Sequence, residues 1–136
     1  MGLVLQDIFD CRSGYRDPII VGELPDSLRL RLKLRVPQVH LSRESLFHIQ
    51  KRHPDVTDFE LPHVSLVIDR GTILQDRAKP SVILSYSKDR ESHRHYVAVM
   101  KIANLACEVW LISFHRTDAR QIRKWRQRHI ILRRGL

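Results

Sequence analysis

Cysteine is scarce in this chain, with only Cys11 and Cys107 among 136 residues. Two thiols so far apart match neither a zinc pattern nor a disulfide framework, and a reducing compartment is the expectation. Glycine is scarce as well: five residues, scattered, with no Walker loop and no dinucleotide fingerprint among them. No apolar run approaches the length of a membrane span, and the first residues lack the basic-then-apolar layout of a signal peptide. A cytoplasmic protein with no membrane partner is therefore expected. Acids are outnumbered, fifteen Asp and Glu against twenty-four Lys and Arg, for a net charge of +9. The excess is local, because Arg116–Leu136 holds eight basic residues and the single acid Asp118, which leaves the rest at only +2. A concentrated cationic segment gathers polyanions, and nucleic acid is the commonest of these in the cytosol. The plainer alternative is a basic surface that merely keeps the domain in solution.

Hydrophobic residues make up 43%, enough for one domain with one core over residues 1–136. Leu3–Phe9 reads as a short strand or loose arm, and Ile19–Leu24 as a strand. Leu28, Leu30, Leu32, Leu34 and Val36 alternate with Arg29, Arg31, Lys33 and Arg35, which predicts a half-buried strand with a cationic outer face. Ser42 is placed to cap a helix over Arg43–Arg52, with Leu46, Ile49 and His53 on one stripe. Pro54 ends it. A second helix is predicted over Phe59–Asp69, with Gly71 as its stop. Strands follow at Thr72–Gln75, Val82–Tyr86, Tyr96–Ile102 and Val109–His115. A basic helix over Ala119–Arg128 comes next, with an edge strand at Ile130–Leu132. The fold class is α+β: helices near the N-terminus on a four-stranded or larger antiparallel sheet, with a basic C-terminal helix.

In the stretch Glu108–Arg116, Ser113 and His115 fall two residues apart and so project from one face of a strand. That pair is either the start of a chemical site or an ordinary polar strand end. His93 and His95, with His53 or His115, match no zinc signature, so neither metal nor cofactor is expected. Ser113 lacks the Gly-x-Ser-x-Gly elbow of hydrolases. What is left is His, Lys, Arg, Tyr and Ser, an inventory that suits metal-free RNA cleavage. There the substrate's own 2′-hydroxyl attacks the phosphate, and the protein supplies a base, an acid and cations. Tyr86 is a candidate for stacking on a base, while Lys88, Arg90, His95, Arg116, Arg120, Arg123 and Lys124 are candidate phosphate contacts. Each of these has an equally simple reading as core or solvated surface.

The order of blocks supplies a resemblance. Leu46–Pro54 reads Leu-Phe-His-Ile-Gln-Lys-Arg-His-Pro, followed by Ile-Asp-Arg-Gly, Thr-Ile-Leu-Gln-Asp, Tyr-Val-Ala-Val-Met-Lys and Val-Trp-Leu-Ile-Ser-Phe-His. Over about Val39–Lys124 this resembles the phage-borne branch of the barnase–EndoU–colicin–RelE-like nuclease superfamily. The resemblance implies a nuclease-like core at 39–128, between a β-rich extension at 1–38 and a tail at 129–136. It implies a metal-independent endoribonuclease of toxin or phage-effector type that leaves a 2′,3′-cyclic phosphate. It places the family's helix-end histidine on His53, its strand cation on Lys101 and its hydroxyl residue on Ser113. His115 stands where an aromatic residue is common. The implied partners are RNA, including tRNA or ribosome-associated RNA, and an acidic immunity or antitoxin protein. Two other functions fit the same residues. One is a non-catalytic module of this fold that binds nucleic acid or inhibits a host protein; the other is a small structural protein whose basic tail docks on an acidic partner.

Overall fold

The first element is a helix, because Ile8 and Cys11 repeat at helical spacing and both are buried. A computed structural model describes residues 2–135. In it α1 (Leu5–Ser13) closes on Gly14, whose φ of +84° is a left-handed value that glycine adopts without strain. The strand or arm expected over Leu3–Phe9 is thus a helix. Next come β1 (Ile19–Glu23) and a second correction. The alternating Leu-Arg stretch is not a strand: α2 (Asp26–Arg31) occupies its first half and Lys33 reverses the chain at φ +56°. Leu and Arg both rank high in helix propensity. Only Leu28 and Leu34 of the five apolar residues are buried, while Leu30 is 71% exposed. The first 38 residues therefore hold two helices and one strand plus the first residue of the next, and are not β-rich. Ile8, Cys11, Val21, Leu24 and Leu28 belong to the same core as Phe114.

A short strand that the sequence reading did not mark, β2 (Gln38–Leu41), leads directly into α3 (Arg43–Arg52). The segment expected as one helix from Phe59 starts later, as a 3-10 turn at Leu61–His63 that runs into α4 (Val64–Arg70). Then follow β3 (Thr72–Asp76), β4 (Val82–Lys88), β5 (His95–Ala103), β6 (Glu108–Thr117), α5 (Ala119–Arg128) and β7 (His129–Arg133). The basic helix is followed by a strand, so it is not the last element; of the tail, Leu136 lies outside the described residues. The fold is α+β, with one seven-stranded sheet in the order β1-β2-β6-β5-β4-β3-β7. All neighbours pair antiparallel except β2 with β6. Among the described residues no helix is long and apolar enough to cross a membrane.

The sheet buries both faces. On one, Ile73, Ile83, Tyr96, Ala98, Met100 and Phe114 join Ile8, Leu46, Val67 and Ile68 from the helices in the main core. On the other, Leu74, Leu84 and Val97 form a smaller cluster under Trp125 of α5 and Ile131 of β7. The two clusters follow strand alternation, so a residue's place along a strand decides which helices it meets.

Gly71 joins α4 to β3, and the reason it must be glycine is not the expected one. Its φ of −71° and ψ of 165° are extended values open to any residue. The constraint is space: a Cβ there would lie 2.6 Å from the Ser85 hydroxyl and 2.7 Å from the Tyr86 carbonyl oxygen, and would overlap the Val67 carbonyl. Ser85 is fully buried and donates its hydroxyl to that Val67 carbonyl, so neither group can withdraw cheaply. Gly71→Ala is expected to cost at least about 2 kcal/mol by overpacking. In urea titrations the midpoint should fall while the slope stays unchanged.

Candidate active site

α3 places the first site residue. Ser42 accepts the Ser45 amide at 3.1 Å to start the helix, and Leu46 and Ile49 are buried on one face as the helix packs against β6. His53 ends it, its amide still bonded to the Ile49 carbonyl at 2.8 Å before Pro54 stops the helical path. The imidazole is thereby carried to the second half of β6.

There β6 holds a β-bulge. Leu111 pairs with Met100 and Ser113 with Val99, which leaves Ile112 as the extra residue, 41% exposed. Before the bulge Leu111 faces the main core; after it Phe114 does, and Ser113 and His115 pair with Val99 and Val97 on the α5 side. His53 and His115 stack there, ring centroids 4.3 Å apart and planes 16° from parallel. Ser113 Oγ lies 3.0 Å from His115 Nδ1 and 3.5 Å from His53 Nε2, bridging the two rings. Burial, reinforced by the charge of a protonated His53 and opposed by Asp55, pushes the His115 pKa down to about 4. His115 is therefore neutral at pH 7. With the proton of its ring on Nδ1, that nitrogen donates to Ser113 Oγ, which leaves the Nε2 lone pair and the Ser113 hydroxyl proton free. A cleft of about 350 Å³ opens beside the pair, lined by Ser45, His48, Arg52, His53, Ile112 and Ser113.

The expected residues separate into groups. His53, Ser113 and His115 come together. Lys101 does not join them: it is exposed and pairs with Trp110, two residues along β5 from the partner of Ser113, or about 7 Å at strand rise. Arg116 is engaged elsewhere. Its Nε donates to Glu60 at 2.9 Å, and Glu60 also accepts from Tyr96 at 2.7 Å and from the Thr57 amide and hydroxyl. Arg94 lies 3.6 Å from the same carboxylate and Asp55 4.0 Å from Arg116. Tyr86, Lys88, His95 and Arg123 line one groove beside α5, whereas Arg90 lines a different hollow with Asp89 and Glu91. Arg120 and Lys124 line neither.

Four residues of consequence escaped the sequence reading. Glu60 is one of three acids between Asp55 and Glu60, and nothing local marks it as the buried one. Arg126 follows Ala119, Ile122 and Arg123 on one helical face, so a stricter helical projection would have found it. Arg52 and Arg70 carry no local signal and need the tertiary fold. Among the described residues no group of three or more His, Cys, Asp or Glu is placed to hold a metal ion. No protein-family model, curated protein or solved structure matches the chain, so the site is read from its own geometry.

Two pH dependences follow. Unfolded His115 takes up a proton near pH 6.5 and the folded residue only near 4, so stability should fall as pH drops through that window. His115→Gln should flatten this part of the profile in urea titrations. Arg116, helped by Tyr96 and Thr57 against the cost of burial, holds the Glu60 pKa at about 2. The stability from Glu60 is present above pH 4.5 and lost between 4.5 and 2. Glu60→Gln should cost about 2 kcal/mol at pH 7 and much less near pH 2.

Proposed function

We propose that the protein is a metal-independent endoribonuclease, a cytoplasmic toxin or effector that cleaves RNA by attack of a 2′-hydroxyl on the adjacent phosphate. The observation that carries this reading is the stacked His53–His115 pair bridged by Ser113, with His53 and Ser113 on a cleft that Arg52 also lines. Neutral His115 takes the proton of the 2′-hydroxyl as the new P–O2′ bond forms. Protonated His53 gives a proton to the 5′-oxygen as the P–O5′ bond breaks, leaving a 2′,3′-cyclic phosphate and a free 5′-hydroxyl. Arg52 and the Ser113 hydroxyl face the charge that builds on the phosphorane, the role the family resemblance would have given to Lys101. The resemblance to the barnase–EndoU–colicin–RelE-like superfamily supports the same chemistry. It also makes tRNA or ribosome-associated RNA the natural substrates and an acidic immunity protein the natural partner.

The position of Lys101, away from the pair, favours the second reading: a module of this fold that binds nucleic acid without cutting it. One assay separates the two. Purified protein incubated with total RNA in EDTA should yield cyclic-phosphate ends. His53→Ala or His115→Ala should slow cleavage by about 100-fold or more, and Ser113→Ala by about tenfold, as for the loss of one hydrogen bond. The acid limb of kcat/KM should lie near pH 4, where His115 gains its proton, rather than near 6.5. RNA that is bound in a salt-dependent way but stays intact would decide for the non-catalytic module.

A further inference from the structure

The groove beside α5 lies on the same side of the sheet as the histidine pair. It measures about 390 Å³, and its lining includes Arg70, Tyr86, Lys88, His95, Arg123 and Arg126. No Asp or Glu is among its described lining residues. Nor does any of its four Lys and Arg side chains form an ion pair among the described residues, whereas Arg116 and Arg94, on the opposite face, are paired with Glu60. Cations crowded into a concave surface with no acid to offset them raise the local concentration of anions, and phosphate is the group they match.

Register ties the groove to the site. Tyr86 pairs with Val97, and Val97 with His115, so the tyrosine and the histidine share one row across the sheet. Lys88, His95 and Thr117 form the next row. Neighbouring strands are about 4.8 Å apart, which sets Tyr86 two strands and about 10 Å from His115. That is too far for the same phosphate and within reach of a neighbouring nucleotide. The volume lies at the small end of the roughly 300–1,000 Å³ typical of small-molecule sites, room for a nucleotide but not for a duplex. Tyr86 offers a ring on which only an unpaired base can stack.

We infer that this groove is a subsite for an unpaired nucleotide flanking the scissile bond, so that the substrate is single-stranded RNA drawn across the sheet from α3 to α5. The inference rests on the ribonuclease reading and adds to it the strandedness of the substrate and the path it takes. The probe for it is a fluorescent RNA of about 12 nucleotides carrying 2′-O-methyl groups throughout, which removes the attacking hydroxyl so that binding is read without cleavage. Arg123→Ala/Arg126→Ala should weaken binding about tenfold and lower the salt slope by about 1.4, at about 0.7 per lost phosphate contact on a single strand. Both side chains are exposed, so folding should be unaffected, and a thermal melt checks this. Arg120→Ala/Lys124→Ala removes the same charge from residues of α5 outside the groove and should change affinity less than about threefold, with little effect on the slope. Lys88→Ala, on β4 across the groove, should weaken binding in the same direction as the first pair. A perfect duplex of the same sequence should compete poorly. Equal losses in the two double variants, or a duplex that binds as tightly as the single strand, would overturn the subsite. Failure of the ribonuclease reading looks different: natural RNA stays intact while the probe still distinguishes the variants.

Discussion

The Glu60 carboxylate accepts hydrogen bonds from Tyr96 on β5 and Arg116 on β6, and from Thr57 in the segment that follows α3. It is buried, so its charge persists only because these donors surround it. Tyr96 in turn stacks between His63 and Phe114, which links the network to the main core. The effect is to fasten the chain from His53 to Glu60 against the two central strands. His53 stacks on His115 because its own helix is packed on β6 and because the chain after it is held at Glu60. One buried ion pair therefore stands behind the geometry of a site on the opposite face.

The two faces of the sheet divide the charge accordingly. On the main-core side Arg116 and Arg94 are paired with the one carboxylate of Glu60, and their role is cohesion. On the α5 side Lys88, Arg123 and Arg126 have no such partners among the described residues, and α5 packs through Ile122 and Trp125 while leaving Arg123 and Arg126 at the groove. A net charge of +9 says nothing of this division. What matters physically is which cations are already spoken for, since an arginine held bidentate on a buried carboxylate has its charge offset and its fork committed to that partner.

Much of this was legible from local pattern. Strands β3 to β6, helix α3 with its Ser42 cap, and the Ser113–His115 pair follow from alternation, capping and proline. The errors share a cause. Leu28–Val36 alternates as well as any strand, but a short strand needs a partner, and here helix propensity and a turn at Lys33 prevail. β2 was missed because four residues carry too little pattern, and its parallel pairing with β6 is a contact between distant parts of the chain. His53, Ser113 and His115 were nameable from sequence; their contact was not, nor was the removal of Arg116 from the surface set, because each depends on side chains that meet across 56 or more residues.

Ile112 gives β6 a change of parity. Up to Leu111 one set of alternate residues feeds the main core, and from Ser113 onward that set turns to the other side. An uninterrupted strand would keep Leu111, Ser113 and His115 in one phase, and a hydroxyl and an imidazole would be driven into the apolar layer under α4 while Phe114 faced the groove. Pairing Ile112 in register, without the bulge, would thus exchange the two faces for the rest of the strand without altering a single side chain. Deleting Ile112 would instead leave Ser113 opposite Val99 and both faces as they are, so the bulge stores one residue in excess of what the alternation of the strand requires.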